Sequence, residues 1–151
     1  MSEDDIQLAL TIFADANREG VVDMVEAMED DALWERNSKR MAPDVRVRFV
    51  TPDASGPIVM EQEYEGIEGL RTGWRAWTAP WDRYAIAVED VIDAGDGRVV
   101  LLVTSTARMR DSETEVPQSA ATTFVVKGGL IAEIDFYLDQ QQAKRDAGLG
   151  R

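Results

Sequence analysis

The chain contains no histidine and no cysteine. Ser-His-Asp and Cys-His nucleophile systems, thiol redox chemistry and zinc sites of the His/Cys type are therefore excluded. Trp34, Trp74, Trp77, Trp81, Tyr84, Phe124 and Phe136 are the aromatic residues that could line a ligand pocket, with Phe49 on the facing wall. Such rings suit a plain core equally well, but indole N–H groups buried against a hollow need partners that a ligand or water can supply. Gln118, Thr122 and Thr123 are mild polar groups, better suited to orienting a ligand than to moving protons. Glu61, Glu63 and Glu65 could hold a divalent cation through oxygens. The preferred reading is a solvated edge that faces Arg46 and Arg48, since exposed charged faces are the norm. Glu89, near a strand end, and Arg108, on a polar strand face, reach the pocket only if a β-bulge re-aims them. Asp44 reads as a turn or cap residue, and Glu133, Asp135 and Tyr137 as facing the outer sheet or a dimer partner.

These side chains need elements to position them. Ser2 and Asp5 make a capping-box-like start, and Ile6, Ala9, Leu10, Phe13 and Ala14 mark one face of a first helix that Gly20 stops. A second helix carries Val21, Val22, Val25, Met28, Ala32 and Leu33 on its stripe, with Trp34 beside it, and Pro43 keeps it from running further. Period two begins at Val45, Val47 and Phe49, which alternate with Arg46 and Arg48. Residues 51–57 read as a loop, and Val59 to Glu65 as a second strand that pairs its acids with the two arginines. Gly66 to Ala79 is a helix with Ile67, Leu70, Trp74 and Trp77 on one side, ended by Pro80.

The last half is a meander. Tyr84 to Ile92 leads to a turn at Gly95-Asp96-Gly97, and Arg98 to Arg110 places Val99, Leu101, Val103, Ala107 and Met109 on one face. Gln118 to Lys127 is followed by Gly128-Gly129, a strong hairpin signal, then by the strand Ile131 to Leu138. Asp139 to Ala147 is a short helical tail. Helices first and a mostly antiparallel sheet after is the α+β pattern. Long strands with helices on only one face should curl into a half-open barrel around a pocket.

Length and charge bound the rest. At 151 residues the chain suits one domain spanning residues 1–151, with a core or a core with a hollow in it. A net charge of −13 argues against nucleic acid and against anionic membrane surfaces. The acidic start, Met1-Ser2-Glu3-Asp4-Asp5, lacks the basic region and apolar run of a signal peptide, so a cytoplasmic location is expected. No cofactor or metal is expected.

Several strings carry a family resemblance. Tyr64-Glu65-Gly66-Ile67-Glu68-Gly69-Leu70-Arg71 resembles the start of the third helix in SnoaL-like proteins of the nuclear transport factor 2-like superfamily. Val88 to Asp96 with Arg98-Val99-Val100 is similar to that family's third strand, turn and fourth strand. Phe136-Tyr137 with Asp139, Ala143 and Ala147-Gly148-Leu149 is similar to its closing strand and tail, and Ala42-Pro43-Asp44-Val45 to its helix-to-strand junction. The resemblance implies a conical α+β barrel with a deep, mostly apolar pocket, often dimeric through the outer face of the sheet. It spans polyketide cyclases, ketosteroid isomerases, epoxide hydrolases and dehydratases, so it does not by itself give the function.

Positions used by isomerases of the superfamily fall on Phe49 for the base, Ile12 or Phe13 for the oxyanion tyrosine, and Ala120 for the oxyanion acid. Enolate chemistry needs a base and an oxyanion donor, and these residues supply neither. The last-strand acid of cyclases and hydrolases falls on Phe136, with Asp135 of outward parity, and a fifth-strand histidine position falls on Thr122. The reading that results is a homodimeric protein binding a small apolar molecule through Trp34, Phe49, Trp74, Trp77, Tyr84, Arg108, Gln118, Thr122, Phe124 and Phe136. Two alternatives stand beside it. One is an enzyme of isomerase, cyclase or hydratase type, which needs a carboxylate in the cavity. The other is a dimerisation or partner-docking module, with a filled cavity and an exposed apolar patch.

Overall fold

Alternating apolar and polar residues in long runs make more than half of the described residues strand. A computed structural model describes residues 7, 22–50, 61–79, 81–138 and 140–148. The expected first helix with Ile12 and Phe13, the loop at 51–57, Pro80 and Asp139 lie outside the described residues. The elements are β1 (Val22–Asp23), α1 (Met24–Ala27), α2 (Asp31–Ser38), β2 (Met41–Val50), β3 (Glu61–Glu65), α3 (Gly66–Thr78), β4 (Trp81–Gly95), β5 (Arg98–Met109), β6 (Glu115–Lys127), β7 (Leu130–Tyr137) and α4 (Gln140–Asp146). Seven strands form one curved, unclosed sheet in the order β1-β4-β5-β6-β7-β2-β3. All neighbours are antiparallel except β2 and β7. The fold is α+β, as the order of elements in the sequence predicts.

The second helix expected from Val21 onward is broken in two. Val22 and Asp23 pair with Ile86 and Ala85 of β4 instead. Asp23 Oδ1 then accepts from the Val25 N–H at 3.1 Å, and Asp30 Oδ1 from the Leu33 N–H at 3.1 Å. Each aspartate caps a fresh helix, and a mid-helix aspartate able to bond the backbone locally favours that break. Pro43 does not end the helix, which stops at Ser38. It lies exposed inside β2, where the pairing with β7 shifts register between Met41 and Arg46, a place where the missing N–H costs no ladder bond. Asp44 is likewise an exposed strand residue rather than a turn or cap.

The inner face of the sheet is continuous core. Val45, Val47, Phe49, Val99, Leu101, Val103, Phe124, Ile131 and Ile134 are all buried, and Leu33, Leu70 and Trp74 close on them from the helices. Met109 departs from this face: at the frayed end of β5 it is 53% exposed. The turn at Gly95-Asp96-Gly97 has positive φ at all three residues, and a side chain at Gly97 would run into the Val126 carbonyl oxygen. Gly128 and Gly129, at φ 60° and 79°, give the two-residue hairpin between β6 and β7.

Helices do not cover one face only. α4 lies across the outer face, where its Ala143 packs on Val50, Ala121 and Tyr137. Tyr137, expected to face the outer sheet or a dimer partner, does lie on the outer face, where the chain's own C-terminal helix covers it and its hydroxyl donates to Asp146 Oδ2 at 3.0 Å. Among the described residues no helix is long and apolar enough to cross a membrane.

Candidate functional site

A cleft opens between the inner side of α3 and strands β4 to β7. Trp74 and Trp77, one turn apart on α3, form one wall; Tyr84 and Ile86 of β4, Val103 and Ser105 of β5, Ala120 and Thr122 of β6, and Phe136 of β7 form the rest, with Ala121, Tyr137 and Leu138. The helix places both indoles on its buried face because Leu70, Gly73, Trp74 and Thr78 repeat at helical spacing. Thr122 has inward parity on β6 and lines the cleft, whereas its neighbour Thr123 has outward parity and lines the opposite face. The space is about 280 Å³ counting the open mouth, but the walls sit close. Room for whole water molecules is only about 20 Å³, roughly one water.

No carboxylate, guanidinium or ammonium lines this cleft among the described residues. Its polar side chains are the hydroxyl-bearing Tyr84, Ser105 and Thr122 and the indoles of Trp74 and Trp77. Tyr84, Ser105 and Thr122 are 3%, 1% and 2% exposed as residues, but among the described residues the one fully buried side-chain atom without a hydrogen-bond partner is the Thr123 hydroxyl, on the other face of the sheet. A hydroxyl at the cleft wall can both donate and accept, so these groups are natural points for a guest molecule or a water to bond.

Trp74, Trp77, Tyr84, Thr122 and Phe136 are the anticipated pocket residues that the structure brings together here. Five others sit elsewhere. Phe49 is the hub of the aromatic core behind the cleft, stacked on Phe136 at 4.9 Å and on Trp77 at 5.4 Å, with Trp74 edge-on at 5.4 Å. No gap separates it from the indoles, so it is packing and not a facing wall. Phe124 is buried in the same core. Trp34 belongs to another surface: its indole N–H donates to the Ala27 carbonyl at 2.9 Å, and the Arg71 guanidinium lies 5.5 Å from its ring centre. The partner that this indole requires is thus supplied by backbone. Arg108 points to the rim, 3.4 Å from Asp82, and Gln118 is exposed.

Glu89 does lie at a register shift between β4 and β5, yet it is exposed. Phe136 faces inward and Asp135 outward, as the strand parity requires. Asp135 pairs with Arg48 at 3.2 Å on the outer face. Burial raises its carboxyl above the ordinary value, while the hydrogen bond and charge of Arg48 pull it back down. Arg46 and Arg48 stand in register with Glu65 and Glu63, as expected, and also between those acids and β7. Their bonds to Glu133 at 2.6 Å and to Asp135 run to the β7 side. Ser105 and Ile86 were not singled out in the sequence. The period-two pattern of β5 does hold the signal, since Ser105 falls on the apolar parity between Val103 and Ala107.

Solved structures share this fold. A candidate SnoaL-like polyketide cyclase from Jannaschia sp. CCS1 is 21% identical, with 97% of this chain and 92% of that chain covered and a TM-score of 0.64. TerC, co-crystallised with polyporic acid, is 17% identical over 96% of this chain and 98% of its own, with a TM-score of 0.63. A nuclear transport factor 2-like protein of unknown function from Burkholderia pseudomallei K96243 is 16% identical, with coverage of 94% and 95% and a TM-score of 0.62. No curated protein matches this sequence. The model of the SnoaL-like domain matches residues 11–134. With that match spanning most of a sheet whose order and cleft are those described above, the chain belongs to the SnoaL-like domain family.

Proposed function

We propose that this protein binds a small, uncharged and largely apolar molecule in the cleft, and holds it by hydrogen bonds instead of by proton transfer. The observation that carries this reading is a mostly apolar wall without charge, in which the hydroxyl-bearing Tyr84, Ser105 and Thr122 and the indoles of Trp74 and Trp77 are the uncharged polar side chains that could orient a guest. A charged guest would find no counter-charge among the described lining residues and would lose its hydration. An acid–base enzyme would need a carboxylate in the cavity, and those residues supply none. That TerC crystallises with polyporic acid, on the same fold, agrees with a guest-binding role. Because the space inside is narrow, uptake needs a wall side chain to move. Trp77, the half-buried indole at α3, is the group placed to swing.

Titration with 2-naphthol, followed by tryptophan emission and by melting temperature, tests this. The neutral compound should shift emission and raise the melting temperature, since a ligand specific to the folded state stabilises it. The anion 2-naphthoate should do neither. Thr122→Val and Tyr84→Phe should weaken binding about 2- to 10-fold each, the worth of a neutral hydrogen bond, without lowering the stability of the free protein. If neutral planar compounds leave both signals unchanged, the cleft is packing and the reading fails.

A further inference from the structure

The outer face of the sheet holds a second hollow, beneath the end of α4, of about 380 Å³ counting its mouth. Register builds it as two rows across four strands. Arg48, Asp135, Thr123 and Val100 stand side by side in one row. Arg46, Glu133, Val125 and Arg98 make the next. Nothing in the proposed function uses this hollow, and it is separated from the cleft by the sheet.

Each acid here already has a partner. Glu133 accepts from Arg46 at 2.6 Å, Asp135 from Arg48 at 3.2 and 3.3 Å, and Asp146 from the Tyr137 hydroxyl at 3.0 Å. Two donors are left over. Half-buried Arg98 reaches only the backbone carbonyl of Asp146, at 3.4 Å, and has no carboxylate partner among the described residues. The Thr123 hydroxyl, in a residue 4% exposed, has no hydrogen-bond partner at all among them. A guanidinium and a hydroxyl without acceptors call for an acceptor, and an anionic one. Planar carboxylate matches the guanidinium fork. Three carboxylates in the walls repel a second negative charge, which disfavours phosphate with its charge near −2.

We infer that this hollow is a binding site for a small monocarboxylate, which accepts hydrogen bonds from the Arg98 guanidinium and the Thr123 hydroxyl. The site is tested on the full chain with sodium acetate against sodium chloride, sodium phosphate and neutral acetamide at matched ionic strength and neutral pH. Melting temperature and the carbon-13 linewidth of labelled acetate are the readouts. Acetate should raise the melting temperature and broaden, whereas chloride, phosphate and acetamide should give no comparable rise. Arg98→Gln should abolish both effects. Thr123→Val should cut the response severalfold while holding or raising the melting temperature of the acetate-free protein, because it removes an unsatisfied buried hydroxyl. This second variant keeps the test decisive if Arg98→Gln folds poorly. An acetate response no larger than that of chloride or phosphate, or one undiminished in Thr123→Val, would overturn the assignment.

Discussion

Arg48 and Phe49 are neighbours on β2, and they face two different media. Phe49 points inward, 2% exposed, into four rings: Tyr64, Trp74, Trp77 and Phe136. Arg48 points outward, to Asp135 and the Tyr137 hydroxyl. The inner face is held by area and shape, with no titrating charge among its contacts. The outer face is held by charges that water still touches, so its contributions are smaller and can be tuned. The same strands therefore give a rigid, uncharged hollow on one side and a titratable, charged one on the other. Function that needs exclusion of water belongs inside, and function that responds to ions belongs outside.

The largest expected effect comes from breaking the inner side. Phe49→Ala removes a ring on which three indole or phenyl groups and a tyrosine rest, and should cost about 3–5 kcal/mol of stability. Urea unfolding followed by tryptophan emission measures it. A loss comparable to that of an outer-face variant would show that the two faces are not held differently.

The outer side should respond less, and with pH. Arg48→Met should cost about 1–3 kcal/mol at neutral pH, since it strands a mostly buried carboxylate. Burial already raises Asp135 above 3.8 in the folded protein, so its contribution is full below that value and is lost as pH rises through the folded one. Without Arg48 the folded value moves further up, and the loss on the climb from acid to neutral grows. The gap between wild type and variant should thus be small near pH 4 and widest near neutrality, whereas the Phe49→Ala gap should be nearly flat over that range. Denaturant midpoints of both variants across that range check the contrast. A flat gap for Arg48→Met would mean that Asp135 is not what Arg48 holds.

Much of this contrast is legible in the sequence. Period two in Val45, Val47, Phe49 against Arg46 and Arg48 is enough to assign the two faces, and Phe136 against Asp135 follows from the same parity. The α3 stripe of Ile67, Leu70, Trp74 and Trp77 is equally plain. What parity does not give is depth. Phe49, Phe124 and Thr122 share one face, yet only Thr122 lines the cleft, because depth depends on how far α3 settles onto the sheet. Nor does periodicity show that Asp23 and Asp30 cut one apolar stripe into two helices, since the stripe continues through both caps. The C-terminal helix over the outer face was visible as an element but not as a lid. Its docking rests on Ala143, a small residue that fits over Tyr137 and carries little pattern of its own.

The smallest effect concerns how closely α3 approaches. Gly73 lies on its buried side, and a Cβ there would stand 2.6 Å from a Phe49 ring carbon and 2.9 Å from two Tyr64 ring carbons. Two terms oppose one another. Alanine favours a helix interior over glycine by about 1 kcal/mol. Overpacking a filled core costs about 1–3 kcal/mol. The Phe49 ring cannot turn away easily, being stacked between Trp77 and Phe136, so the second term should win and Gly73→Ala should lose about 1 kcal/mol net. Gly69→Ala is the comparison, because the nearest atoms to its Cβ are Tyr64 Cβ, at 3.1 Å, and Tyr64 backbone at 3.4 and 3.7 Å. It should come out closer to neutral. Thermal melting of the two variants side by side reads the difference. Gly73→Ala should also lift α3 slightly, so 2-naphthol binding should change in that variant and not in Gly69→Ala. If Gly73→Ala is the more stable of the pair, the aromatic core is looser than its ring contacts indicate, and the inner face yields to a methyl group.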